Sequence, residues 1–91
     1  MKASKDFILR EIAGEHILVP VGAAAARFNG LITLNETGRT LFLALAQERS
    51  PEELTDALTA EYEVDPETAR ADVAGFLDQL RQVGALVEDG P

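Results

Sequence analysis

Cysteine is absent from this chain, which removes any disulfide framework, thiol nucleophile or thiolate metal site. Redox chemistry of its own is excluded with it. Histidine occurs once, as His16 within an apolar run and with no cysteine to join it, so it reads as an ordinary strand residue rather than a metal ligand or a member of a catalytic triad. Cations are scarce as well: eight Lys and Arg stand against sixteen Asp and Glu, a formal net charge of −8 with the histidine neutral. Nucleic-acid binding draws affinity from cations that neutralise phosphates and release counterions, and here the field opposes a polyanion. Anionic membranes are disfavoured for the same reason. No apolar run nears the roughly 18 residues that span a bilayer, and Met1-Lys2-Ala3-Ser4-Lys5-Asp6 is polar where a secretory signal is apolar. The expected location is cytoplasmic. Neither G-x-G-x-x-G nor G-x-x-x-x-G-K occurs, so nucleotide binding has no support. The expectation is of no catalytic residue, no metal, no cofactor and no enzyme activity.

What is present is the composition of a folded unit. Of 91 residues, 46% are hydrophobic and 26% charged, the profile of a soluble globular protein. A chain of this size buries about 60 to 65% of its unfolded surface and folds without staples. One domain, residues 1–91, is expected.

The first third reads as strands and turns. Phe7-Ile8-Leu9-Arg10-Glu11-Ile12 and His16-Ile17-Leu18-Val19-Pro20-Val21 flank Ala13-Gly14-Glu15, a spacing that suits a hairpin. Between Gly22 and Gly30, four alanines with Arg27 and Phe28 fit either a loop or a helical turn, and Asn29-Gly30 tolerates the positive backbone angles of a tight turn. Leu31-Ile32-Thr33-Leu34 then forms a third strand, whose period of two sends Ile32 and Leu34 to one face and Leu31 and Thr33 to the other.

Three helices follow, each opened by a capping residue. Asn35 accepts from free donors of the first turn and Glu36 places negative charge at the positive helix end, starting a helix that runs to about Ala46. Its Leu41-Phe42-Leu43-Ala44-Leu45 stretch is apolar nearly all round, which predicts the central, most buried helix. Ser50-Pro51-Glu52-Glu53 is a capping box with proline in the first turn, and Leu54, Ala57, Leu58 and Tyr62 line one face beyond it. Asp65-Pro66-Glu67 opens the longest helix, where Ala69, Val73, Phe76, Leu77, Leu80 and Val83 trace an apolar stripe and Gly84 supplies the stop. Leu86-Val87 followed by Glu88-Asp89-Gly90-Pro91 reads as a tail that packs briefly and then frays. The fold class is α+β and winged-helix-like: a three-stranded antiparallel sheet followed by three helices.

Features that invite chemistry have structural readings. Glu52-Glu53 lies in a first helical turn, where negative charge stabilises the helix in any case. Asn35-Glu36-Thr37 matches a glycosylation sequon, yet its asparagine is spoken for as a cap. Arg70, Ala74, Leu77 and Arg81 fall at i, i+4, i+7 and i+11 and form a stripe with cations at both ends, suited to gripping an acidic, apolar peptide or else a solvated flank paired with Glu67 and Asp78. Strands and helices in this order also describe a DNA-binding winged helix, but the longest helix sets Arg70 and Arg81 against Glu67, Asp72 and Asp78. A structural subunit that docks through its sheet edge, with no peptide ligand, is a further alternative.

The string Phe28-Asn29-Gly30-Leu31-Ile32-Thr33-Leu34-Asn35-Glu36-Thr37-Gly38 resembles the most recognisable stretch of the PqqD family, small peptide chaperones of ribosomal peptide modification. Phe7 to Glu15, Ile17 to Gly22, Ser50 to Leu54 and Phe76 to Leu80 with Gly84 follow the same pattern in order, so the resemblance covers about Phe7 to Val87. Gln47-Glu48-Arg49 departs from the shorter, often glycine-bearing link usual there, and Phe42 stands where a tryptophan is frequent. The resemblance implies a recognition element that binds the leader of a precursor peptide and presents it to a separate modifying enzyme, a radical SAM protein or another maturase. It implies that the leader adds to the third strand, with Leu31, Ile32 and Thr33 pairing through their backbone. Arg70, Val73, Ala74, Leu77 and Arg81 of the last helix are the residues expected to line the groove beside it. Backbone pairing would supply affinity and side-chain pockets selectivity.

Overall fold

A computed structural model of the chain describes residues 1–27 and 30–88. The sequence contains the hairpin it was expected to form: β2 (Phe7–Ile12) and β3 (Glu15–Pro20) follow a short β1 (Lys2–Ala3), and pair antiparallel from Phe7↔Pro20 to Ile12↔Glu15. Only Ala13 and Gly14 are left to reverse the chain. Both hold positive φ, 53° and 81°, the geometry whose twist matches that of the flanking strands. For Ala13, which has a Cβ, this conformation costs about 1–2 kcal/mol.

After β3 the alanine-rich segment forms a short helix, α1 (Gly22–Arg27), because Ala24 finds a place in the core at 1% exposure. The proposed Asn29-Gly30 turn has its first residue, like Phe28, outside the described residues. β4 (Ile32–Leu34) then returns beside β3, with His16↔Leu34, Ile17↔Thr33 and Leu18↔Ile32 in register. The sheet order is β2-β3-β4. As the alternation predicts, Ile32 and Leu34 are buried and Leu31 and Thr33 are exposed.

Three capped helices close the sheet's inner face. α2 (Glu36–Ala44) begins where the Asn35 side-chain oxygen accepts from the Gly38 amide at 2.8 Å. In α3 (Pro51–Glu61) the capping box is complete, the Glu53 amide donating to Ser50 at 3.1 Å and the Ser50 amide to Glu53 at 2.9 Å. α4 (Pro66–Val83) starts on Asp65, which accepts from the Thr68 amide, and stops at Gly84 in the left-handed conformation. Both caps hold their carboxyls below the ordinary range: a backbone hydrogen bond from Ser50 does so for Glu53, and the Thr68 side chain followed by its amide for Asp65. The Tyr62 hydroxyl, 2.8 Å from the Thr40 hydroxyl and 3.2 Å from the Glu36 carbonyl, ties the end of α3 to α2.

Three features differ from expectation. α2 is not the most buried helix: Leu41, Phe42 and the cap residue Leu45 face the core, but Leu43 turns outward and is 48% exposed. α4 instead buries Ala69, Val73, Phe76, Leu77 and Leu80, since its stripe continues over five turns rather than two. The helices number four among the described residues, α1 included. Finally, β5 (Leu86–Val87) is no loose tail: it pairs antiparallel with β1, Lys2↔Val87 and Ala3↔Leu86. Amides of Ala3 and Ser4 donate to the carbonyls of Leu45 and Ala85 at 2.8 Å each, and the N-terminal amine meets Glu48. β1 and β5 are thereby fastened to the ends of the helices.

Candidate functional site

β4 forms its ladder with β3 alone; among the described residues no strand lies along its other edge. The strand is short because Asn35 turns away to cap α2, so the free edge leads straight to a helix N-terminus. Facing this edge across a hollow of about 340 Å³ is one flank of α4: Thr33, Leu34 and Asn35 form one wall, Phe76 and Gln79 the other, and Gly38 lies at the base. The hollow extends along α4 past Gly75 to Asp72. Asp72 makes no ion pair or hydrogen bond among the described residues, so the only charge on this wall is an unneutralised carboxylate.

Gly38 sets the depth of the groove. A methyl built on its Cα would stand 3.1 Å from the Asn35 side-chain oxygen and 3.4 Å from both Leu34 Cβ and Phe76 Cε1. A side chain here would press on the Asn35 cap while filling the space between Leu34 and Phe76, where α2, β4 and α4 meet. The Phe76 ring is 8% exposed, so the wall it forms is held rigidly by the core. Thr33 and Gln79 are exposed and free to meet a ligand.

The structure divides the residues expected at the site. Leu31, Ile32 and Thr33 lie along this strand, but Leu31, 60% exposed, precedes it, and buried Ile32 turns its backbone to its partner Leu18, so Thr33 and Leu31 are the residues whose backbone faces the open edge. Arg70, Val73, Ala74, Leu77 and Arg81 do come together, but against Pro51 and Thr55 of α3, where they line a separate hollow of about 280 Å³. Successive residues turn about 100° around a helix, so positions 70, 74, 77 and 81 run along one flank of α4 while 72, 76 and 79 run along the other. The second flank faces β4, so the expected helix residues line the hollow against α3 and not the one beside β4. Arg81 is also engaged: it lies 3.0 Å from Asp78 and 2.8 Å from Glu88, and its hydrogen bonds hold the Glu88 carboxyl below the ordinary range. Sequence reasoning missed Gly38 and Gln79 as groove residues and read Phe76 as core only. The strings that carry the family resemblance contain all three.

The features with tempting chemical readings are structural. His16 Nε2 lies 3.0 Å from Glu36 Oε1, joining β3 to the first turn of α2. Among the described residues no group of His, Asp and Glu is arranged to hold a metal ion. No helix is long and apolar enough to cross a membrane.

Comparison with known proteins was made on the sequence and on the fold. A family model described as Coenzyme PQQ synthesis protein D (PqqD) matches residues 8–86. No curated protein matches the chain. A solved structure of TbiB1 in complex with the TbiA(beta) leader peptide is 27% identical and superposes over 100% of both chains with a TM-score of 0.77. A lasso peptide synthetase B1 complexed with the leader peptide shares the fold at 22% identity, with 96% of each chain covered and a TM-score of 0.74. With strand, cap and helix in the family's order and the match extending over residues 8–86, this chain belongs to the PqqD family.

Proposed function

We propose that the chain binds the leader segment of a ribosomally synthesised precursor peptide and presents it to a separate peptide-modifying enzyme, a radical SAM protein or another maturase. It acts in the cytoplasm as a single recognition domain, residues 1–91, and catalyses nothing itself. The observation that carries this reading is the unpaired edge of β4 beside the rigid Phe76 flank of α4. An extended peptide laid there completes the hydrogen bonding of the strand, while alternate side chains enter the hollow between Thr33 and Gln79. TbiB1, similar over its whole length, was solved with a leader peptide bound, which supports the same role here.

In this arrangement Leu31 and Thr33 turn open backbone groups to the leader, Ile32 between them holds the strand on β3, and Gly38, Phe76 and Gln79 supply the pocket. A disordered leader gives up about 2 to 5 kcal/mol to ordering, so moderate affinity is the expectation. The test is calorimetric titration of the leader encoded beside this gene. Thr33→Pro, which stiffens the edge and removes a donor, and Gln79→Lys, which adds a charge to the pocket wall, should each weaken binding by about tenfold. Full affinity in both variants refutes the assignment.

A further inference from the structure

We propose that the hollow between α3 and α4 docks the peptide-modifying enzyme, through a segment that sets an apolar side chain beside a carboxylate. This rests on the presenting role proposed above, since a presenter has to hold leader and enzyme at once. The two hollows lie on opposite flanks of α4, so one helix separates them and neither ligand obstructs the other.

The chemistry of the second hollow identifies its occupant. Its floor is apolar, made by Val73, Ala74 and Leu77 of α4 with Pro51 of α3, and it encloses about 280 Å³, room for a large aliphatic or aromatic side chain. Thr55 adds no open polar group, because its hydroxyl already donates to the Pro51 carbonyl at 2.9 Å. The cleft runs on beyond Arg70 toward Thr59 and Pro66, which makes it a groove along the helix pair rather than an isolated dimple. Arg70 stands where the two parts join. Unlike Arg81, it makes no hydrogen bond or ion pair among the described residues, in a chain whose net charge is −8. Glu52 and Asp56 line the α3 side of the same cleft. Asp78 and Arg81 also line the α4 wall but pair with each other at 3.0 Å, so a carboxylate entering here meets Arg70 as the cation left unpaired among the described residues, while the apolar neighbour fills the floor. An enzyme segment of this composition gains one charge-assisted contact and one buried side chain, the pairing that anchors protein interfaces.

The experiment titrates the purified modifying enzyme encoded beside this gene into the full chain, with and without leader, and titrates leader separately. Arg70→Glu reverses the cation, and Ala74→Trp fills the floor from an exposed position; circular dichroism and urea midpoints confirm that both fold. The expected result is a loss of enzyme affinity of about tenfold or more in each variant, leader affinity unchanged within about twofold, and wild-type enzyme binding that weakens severalfold as salt rises from about 0.05 to 0.3 M. Unchanged enzyme affinity in both variants, or no binding of the enzyme to the wild-type chain, overturns the proposal. So does a parallel loss of leader affinity, which would return the stripe to the leader groove. A wild-type chain that binds enzyme but no leader sinks the presenting role alone, because the enzyme titrations still read out the docking site.

Discussion

Replacing Gly38 by alanine tests whether the base of the groove is as tightly built as the coordinates imply. Removing a glycine from a helix ordinarily gains about 0.5–1 kcal/mol, because the unfolded chain loses freedom and the helix gains a better former. Here the new methyl meets the Asn35 side-chain oxygen at 3.1 Å, while Leu34 and Phe76, at 3.4 Å, stand at ordinary contact distance and leave Asn35 as the group that has to give. Asn35 can yield only by lengthening its 2.8 Å bond from the Gly38 amide, and losing such a cap costs about 1 kcal/mol. Because Gly38 stands in the first turn of α2, only part of the propensity gain applies; the cap loss exceeds it by about 0.5 kcal/mol, and thermal unfolding should fall by about 2–4 °C for a domain this size. Urea unfolding of Gly38→Ala, Asn35→Ala and the double variant gives the coupling as well. Because the alanine has already weakened the cap, Asn35→Ala should cost less in that background. A Gly38→Ala protein more stable than the wild type, with additive effects in the double variant, would refute the close packing argued here.

Two further predictions concern the scaffold. Ala13→Asn should stabilise the protein by about 0.5–1 kcal/mol in urea melts, since asparagine tolerates the left-handed backbone that Ala13 holds at φ 53°; a destabilised variant would mean the turn is not of this type. On the acid side, Glu53 and Asp65 have folded-state pKa values below their unfolded ones, so their contribution is complete above the ordinary carboxylate range and is lost as pH falls through the depressed values. Thr68→Val removes the hydroxyl that contributes most to the Asp65 shift, and should shrink the loss of stability on acidification relative to wild type. Comparing the two cancels the relief of general repulsion in so acidic a chain; identical acid limbs would refute the cap assignment.

Which parts of this structure could be read beforehand follows from how local their causes are. The caps at Asn35, Ser50 and Asp65 act within three residues of themselves, and each helix starts where they place it. The register of β4 follows from alternation, which separates Ile32 and Leu34 from Thr33 without reference to anything distant. The flank of α4 that faces β4 is another matter. Periodicity identifies the side turned to the core, but not whether the sheet edge lies to its left or right, and so Arg70 and Arg81 were expected beside β4, whereas they line the hollow against α3. Position 79 carries no periodic signal because Gln79 is exposed. The β1–β5 pairing escapes for a related reason: segments of two residues have no period, and their partners lie at opposite ends of the chain. Leu43 shows that an apolar helix need not be buried all round.

The account's central claim is that a leader joins the sheet at β4. Successive amides of an extended strand point to opposite sides, so only every second leader N–H can face β4. The direct measurement is a scan in which single N-methyl groups are moved along the leader and the affinity of each peptide for the wild-type chain is taken by calorimetry. Strand addition at β4 predicts alternation, with every second N-methyl weakening binding by about fivefold or more, as a lost hydrogen bond near 1 kcal/mol requires, and its neighbours nearly silent. Uniform losses along the leader, or none, would contradict it.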